Sequence, residues 1–513
     1  MKKITIASVL LFFNLLNAES ISQLKPTYFD NGLKNIAFFS VFGGSSHSLW
    51  VLDIGNELGR RGHNITYLTS EEQARFGKSF EYVKTLTIGP SYYNMKEVGD
   101  SSFIRNFSTI EFMAYASDII VKNFERDYQF TRDYFISHKI DVAICDHFGE
   151  TCVDAATSLN IPYIITSSME LTKDSFSLDS DTPYTHNDVV SLIQPTTEFE
   201  SLTIRFIDEF IKPLEFIITI AIGIDAKIQD PSSKWKHALK MVNNIHGFSP
   251  ARPMGPLVEL VGPILPKRFT PLTEHLENYL DAHKRIAYIA FGQMATPCEN
   301  DIRLILTSVL ESIELGYFDL FPDTITISSG AVYHIQAMLN QTHPDARMVS
   351  WAPQTAILMH PSTHVFFSHG GLGSWYESMY AGKRMIMFPF FGDQASNSHM
   401  IEQSGLGAVL DYGATTEQAV DLIKGVALDI NGEITGNVKR TQALVQIRSE
   451  RSISRGADTV EEVAYTHKNG MLPHRMSANH RISFIKAHNL DIYSILILCI
   501  SLFKAIGLFQ DLK

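Results

Sequence analysis

Between residues 351 and 394 the chain carries three clusters suited to a phosphorylated ligand: Trp-Ala-Pro-Gln at 351–354, Ser-His-Gly-Gly-Leu-Gly-Ser-Trp-Tyr-Glu at 368–377, and Phe-Gly-Asp-Gln at 391–394. Each follows an apolar, strand-like run. In the middle cluster Val365 to Ser368 predicts a strand, His369-Gly370-Gly371 a turn, and Ser374 to Ala381 a helix. The free N–H groups at a helix start bind phosphate. Glycine at 370, 371 and 373 lets the backbone approach an anion without a Cβ in the way, and His369 adds a donor at the same edge. A nucleoside diphosphate suits such a turn. Singly, these residues have plain structural uses: His369 as a satisfied loop residue, Glu377 as a solvated helix face, Trp351 as core. Three clusters in order, each at the carboxyl end of a strand where open α/β sheets bind ligands, favour the functional reading.

Such clusters need a rigid frame, and the chain alternates strand-like runs with helical patterns, as parallel sheets require. Asn35 to Phe42 predicts a strand, Gly43 to His47 a turn, Leu49 to Arg61 an amphipathic helix and Ile65 to Leu68 the next strand. Val142 to Cys145, followed by Asp146-His147, and Tyr163 to Thr166 predict further strands. Prolines at 250, 253, 256, 263 and 266 mark a linker before a second series of strands that begins at Arg285 to Phe291.

The three clusters resemble the signature of the UDP-glycosyltransferases, the GT-B family that includes UDP-glucuronosyltransferases and UDP-glucosyltransferases. The resemblance implies that Trp351 stacks on uracil and that Gln354 contacts the nucleoside. It implies that His369, Gly371 and Ser374 hold the diphosphate, with Gly292 near it, that Glu377 takes the ribose hydroxyls, and that Asp393 and Gln394 hold the sugar. Gly373 stands where many members carry Asn. The implied architecture is α/β, with two Rossmann-like domains facing across a cleft: an acceptor-binding domain at 21–255 and a UDP-sugar-binding domain at 256–440. Helices at 441–488 would cross back to the first domain.

Transfer of a sugar to a hydroxyl needs a base, because an alcohol is a poor nucleophile until its proton is taken in the transition state. Family members use a His in the first strand-to-helix loop, oriented by an Asp after a later strand, and the matching residues are His47 and Asp146. His147 is a rival that points the other way if the strand continues. The resemblance implies a single inverting displacement, with a UDP-sugar as co-substrate and no metal or other cofactor. Asp179-Ser180-Asp181 looks like the metal-binding Asp-x-Asp of the other main glycosyltransferase fold, but its Ser/Thr/Asp-rich surroundings before Pro183 predict a solvated turn. The apolar run Phe216 to Ile224 predicts a core helix or part of a lipophilic acceptor pocket.

The 513 residues are enough for two or three domains. A net charge of −12 supplies no basic stripe for nucleic acid. Cys145, Cys152, Cys298 and Cys499 form neither a metal-ligand pattern nor a dense disulfide framework, and the first two are expected as buried thiols. Lys2-Lys3, the apolar run Ile4 to Leu16 and Ala18 have the anatomy of a signal peptide over 1–18. Sequons at Asn64, Asn106 and Asn340 suit glycosylation in a secretory lumen, and family members suggest the endoplasmic-reticulum membrane with lumenal catalytic domains. Residues 490–509 are expected as a transmembrane or interfacial helix, although Asp491 and Lys504 leave only the 12 residues Ile492 to Phe503 uncharged. After the helix expected at Asn300 to Glu314, the segment 315–323 departs from the family pattern, and Gln293 stands where Ser is common. The reading is of a hexosyltransferase acting on a lipophilic hydroxyl acceptor, with a noncatalytic nucleotide-sugar-binding protein or a sugar-nucleotide epimerase as alternatives.

Overall fold

The computed structural model describes residues 31–91, 109–168, 197–198, 200–212, 214, 234–248, 251–292, 295, 297–314, 349 and 351–510. The expectations for residues 1–18, Asn106, Asp179 to Asp181, Phe216 to Ile224, Gln293, 315–323 and Asn340 concern residues outside this set.

The first sheet is built from β1 (Asn35–Phe39), β2 (Asn64–Ser70), β3 (Val83–Gly89), β4 (Val142–Asp146), β5 (Tyr163–Ser167), β6 (Leu239–Val242) and β7 (Val258–Leu260), all parallel, in the order 3-2-1-4-5-6-7. The middles of its inner strands, such as Ile36 to Phe39 and Val142 to Cys145, are continuous apolar runs because both faces are covered. On β1, Ile36 and Phe38 enter one core with Trp50, Ile54 and Leu58 of α1 (Ser45–Arg60), whereas Ala37 and Phe39 enter the other. That second core holds Tyr134 and Phe135 of α2 (Thr109–Ser137) and Val153 and Ala156 of α3 (Glu150–Ser158). The apolar positions of α1 recur at three- and four-residue spacing, so one stripe faces the sheet. α1 begins at Ser45, earlier than the expected Leu49, because the turn is completed by Gly43 and Gly44. Gly43 has a φ of +89°, and a Cβ there would lie 2.4 Å from the His47 ring, so both the turn and the ring require glycine.

β7 corrects the expected linker. It lies among the prolines yet pairs with β6, so the first sheet ends after Leu260 rather than before residue 256. The flanking prolines fall outside the strand, where no ladder N–H is needed.

The second domain contains β8 (Ile286–Ala290), α4 (Glu299–Glu314), α5 (Gln354–Met359), β9 (Thr363–Ser368), α6 (Leu372–Ala381), β10 (Arg384–Met387), α7 (Gln394–Gln403), β11 (Gly407–Val409), α8 (Thr416–Leu428) and α9 (Glu433–Ser449). Among the described residues its strands form a parallel sheet ordered 11-10-9-8. Ile245 and Phe248, which follow β6, insert into this domain's core against Trp375, Tyr376 and Met379. The Tyr376 hydroxyl lies 2.8 Å from the Asn243 carbonyl and 2.9 Å from Asn244 Oδ1, joining the two sheets' supports. The chain then returns through α10 (Ser452–Thr466): Ala457, Val460, Val463 and Ala464 complete the first core, and Arg61 pairs with Asp458 and Glu461 at 2.7 Å each.

α11 (Leu490–Gln510) is the last described helix, with Ile492, Ile497 and Phe503 exposed. Among the described residues no helix is long and apolar enough to cross a membrane, which corrects the transmembrane expectation. The 12 uncharged residues Ile492 to Phe503 rise only about 18 Å, against a hydrocarbon core of about 30 Å.

Removing the Tyr376 hydroxyl takes its donor from the buried Asn243 carbonyl, while Asn244 Oδ1 keeps the Ile245 N–H. Tyr376→Phe is expected to lower stability by about 1–3 kcal/mol in chemical denaturation. An unchanged midpoint would show that the junction does not depend on it.

Candidate active site

His47 and Asp146 meet where the strand order of the first sheet reverses. β1 and β4 are neighbours, with Phe39 beside Cys145, and the chain leaves them in opposite lateral directions, opening a crevice at their carboxyl ends. His47 sits in the first turn of α1 and Asp146 is the last residue of β4. His47 Nδ1 is 3.0 Å from Asp146 Oδ2, while Asp146 Oδ1 accepts the Phe148 N–H at 3.1 Å. With Nδ1–H donating to the carboxylate, the His47 Nε2 lone pair is left to take a proton. Burial opposes charge on the ring, but the charge and hydrogen bond of Asp146, helped by Asp393 across the cleft, outweigh it and raise the His47 pKa. Burial pushes the Asp146 carboxyl up, and His47, His147 and the Phe148 N–H more than reverse this, so it stays ionised.

His147 does not point away, as continued strand alternation implied. β4 stops at Asp146, the Gly149 N–H bonds back to the Asp146 carbonyl at 2.6 Å, and the His147 ring stacks on His47 with centroids 5.0 Å apart. Burial lowers the His147 pKa to about 4, so it is neutral at pH 7 and too weak to serve as base. Cys145 and Cys152 are also corrected: they form a disulfide rather than two free thiols. Gln73 was missed in the sequence; its buried amide donates to the Gly43 carbonyl at 2.9 Å and holds the turn before His47.

In the second domain β8, β9 and β10 lie side by side, so their carboxyl ends present Gly292, the 369–371 turn and the 388–394 segment along one edge. Positions for a Cβ on Gly292 and Gly371 lie 2.8 and 2.4 Å from the His369 ring, so both residues pack against it. Burial lowers the His369 pKa to about 4, which makes it a neutral donor at pH 7. Gln354, at the start of α5, donates to Ser374 Oγ at 3.2 Å and to Glu377 Oε2. Thr355, not singled out in the sequence, donates to Glu377 Oε1 at 3.0 Å. Burial raises the Glu377 pKa against these two hydrogen bonds. Trp351 is 66% exposed, which excludes a core role and leaves its face open to a base.

Asp393 precedes α7, and Asn397 binds both its Oδ2 and the Gly370 carbonyl at 2.8 Å, tying the third cluster to the second. The four-residue spacing of Asp393 and Asn397 on a helix was the available signal. Gln394 Oε1 accepts the Phe390 and Phe391 N–H groups at 2.8 and 3.2 Å, so only its amide NH₂ remains for a ligand. Among the described residues, His47, Asp146 and His147 offer potential metal-ligand atoms within 4.8 Å of one another. Asp146 Oδ2 and His47 Nδ1 are engaged with each other, and His147 Nδ1 with the Thr166 carbonyl at 3.3 Å, a donor set arranged as a proton-holding pair.

Two parallel-sheet domains, one with a His–Asp pair at its crevice and the other with a glycine-rich turn at its edge, define an α/β protein of the GT-B glycosyltransferase fold. A UDP-glucosyltransferase from Polygonum tinctorium has the same fold, with a TM-score of 0.58 at 15% identity over 85% of this chain and 99% of that one. The family described as UDP-glucoronosyl and UDP-glucosyl transferase matches residues 205–510, and the chain belongs to that family. A Talaromyces amestolkiae UDP-glycosyltransferase is 30% identical over 285 residues, 50% of this chain and 54% of the relative. A Fusarium mangiferae UDP-glycosyltransferase is 24% identical over 490 residues, 87% of each. In its matches to the first of these and to two other fungal relatives, the chain spans about half of the relative's length, 54–56%.

The His47 environment generates a signed expectation. In an NMR titration the His47 midpoint should lie above the usual 6.5, and in Asp146→Asn it should fall below 6.5, because burial then acts with only Asp393 against it. A midpoint unmoved by the substitution would show that the pair does not form.

Proposed function

We propose that the chain transfers a hexosyl group, glucose or glucuronate, from a UDP-sugar to a hydroxyl of a lipophilic small molecule. The observation that carries this reading is the 3.0 Å His47–Asp146 pair, set where His47 and Asp393 sense each other's charge across the cleft. His47 Nε2 takes the acceptor proton as the oxygen attacks the anomeric carbon, and Asp146 stabilises the imidazolium that forms. UDP leaves from the opposite face in a single inverting step. The N–H groups at the start of α6 and the neutral His369 meet the charge that develops on the diphosphate. Trp351 stacks on uracil, Gln354 contacts the nucleoside, Gly371 and Ser374 hold the diphosphate with Gly292 beside it, Glu377 takes the ribose hydroxyls, and Asp393 and Gln394 hold the sugar. The reading needs no resident cofactor. Support for the donor comes from family membership and from a similar solved structure, a Phytolacca americana glycosyltransferase described with UDP-2-fluoro-glucose, with a TM-score of 0.56.

A secretory, endoplasmic-reticulum setting with lumenal domains is part of the proposal. The buried Cys145–Cys152 bridge supports it, since disulfides persist in oxidising compartments. The exposed apolar side chains of α11 support a seat in the membrane interface.

The test is UDP release by purified protein over a panel of UDP-sugars with lipophilic hydroxyl acceptors. His47→Ala should lower turnover by roughly 10²-fold to 10⁴-fold while UDP affinity holds. Trp351→Ala should weaken UDP binding by roughly 1–3 kcal/mol in calorimetry. Full transfer by His47→Ala would remove the base, and a wild type that binds UDP without transfer would favour a noncatalytic binding protein.

A further inference from the structure

Three of the groups that touch the His47 ring, one carboxylate and two rings, lie on one short loop, and that loop is closed covalently. Cys145 is the residue before Asp146 on β4, Cys152 lies in the first turn of α3, and their Cα atoms are 5.7 Å apart. Between them are Asp146, bonded to His47 Nδ1 at 3.0 Å, and the rings of His147 and Phe148, whose centroids stand 5.0 and 5.5 Å from that of His47. Hydrogen bonds alone make a weaker turn: the Gly149 N–H reaches the Asp146 carbonyl, and the Cys152 N–H the Gly149 carbonyl at 3.0 Å. Both cysteines are fully buried, between the sheet and α3, so the tie belongs to the frame of the site rather than to its surface.

We infer that the Cys145–Cys152 disulfide is a positioning element for the proposed transfer reaction, holding Asp146 and the stacked rings in register with His47. The inference rests on the reading of His47 as base. A general base tolerates little displacement, and about 1 Å of misplacement can cost about 10²-fold in rate. The bridge forms by thiol–disulfide exchange: two electrons and two protons pass from Cys145 and Cys152 to the disulfide of an exchange partner, which leaves as a dithiol. Being buried, the bridge is made during folding and afterwards resists reductant. Activity therefore follows the redox state in which the chain folded.

The experiment compares the bridged wild type, its thiol count verified by mass after alkylation, with Cys145→Ala/Cys152→Ala. UDP affinity, read by calorimetry, should be the same for both, since the donor edge is on the other domain. Turnover at saturating substrates should fall about 10-fold to 100-fold in the variant. The titratable groups facing His47 are Asp146 and His147 on the bridged loop and Asp393 on the second domain, so a loosened loop should also move the His47 NMR midpoint down toward 6.5. Unchanged turnover, or a fall in turnover with the midpoint in place, overturns the inference. If the wild type transfers no sugar but the midpoint still drops on losing the bridge, the transfer reading fails and the positioning role stands. If the alanine pair does not fold, Cys145→Val/Cys152→Ala, which refills much of the sulfur volume, is read instead. A chain that folds only with the bridge makes it a brace of the whole domain and overturns the positioning role.

Discussion

The hydrogen bond between His47 and Asp146 is the constraint that the first domain is organised around. A buried carboxylate is tolerated only when its oxygens are satisfied, and here one oxygen faces an imidazole while the other accepts a backbone N–H. The partners are 99 residues apart in sequence. They meet because β1 and β4 are adjacent at the reversal of strand order, so two separate chain exits open onto one crevice. Gln73 and the turn at Gly43 fix the histidine side, and the bridged loop fixes the aspartate side.

The second domain applies the same geometry to a different task. Its three adjacent strands deliver glycines, a neutral histidine and an acid–amide pair to one edge, and Asn397 couples the turn to Asp393. Where the first domain balances burial with opposite charge, this one lets burial keep His369 neutral. The two edges face each other because Ile245, Phe248 and the Tyr376 hydroxyl anchor the exit from β6 in the second core.

Much of this was legible in the sequence for a physical reason: parallel strands buried on both faces are continuous apolar runs, and the polar residues that end them mark the ligand edge. The runs locate the strand ends near Gly371 and Asp393, whereas His47 and Asp146 were singled out among the residues at their strand ends only by the family resemblance. Other features depend on how the chain turns. The His147 ring could not be placed by alternation, since the strand stops one residue earlier. The Cys145–Cys152 pairing needs α3 to fold back at Gly149, which seven-residue spacing does not reveal. β7 was hidden among prolines that usually signal a linker. Thr355 acts through Glu377, 22 residues away, so nothing in its own context distinguished it, whereas Asn397 carried one signal, its four-residue spacing from Asp393.

The return of α10 to the first core has a consequence for biosynthesis. Ala457, Val460, Val463 and Ala464 cover α1 and its neighbours, yet they are made on the order of 200 residues after β7, the last strand of that sheet. At roughly 5–20 residues per second, the nascent first domain waits about 10–40 s with that apolar surface uncovered. Throughout that interval Arg61 has neither Asp458 nor Glu461 to pair with. The first domain, although translated first, is therefore completed last, and a chaperone has most reason to bind it while the second domain is still being made.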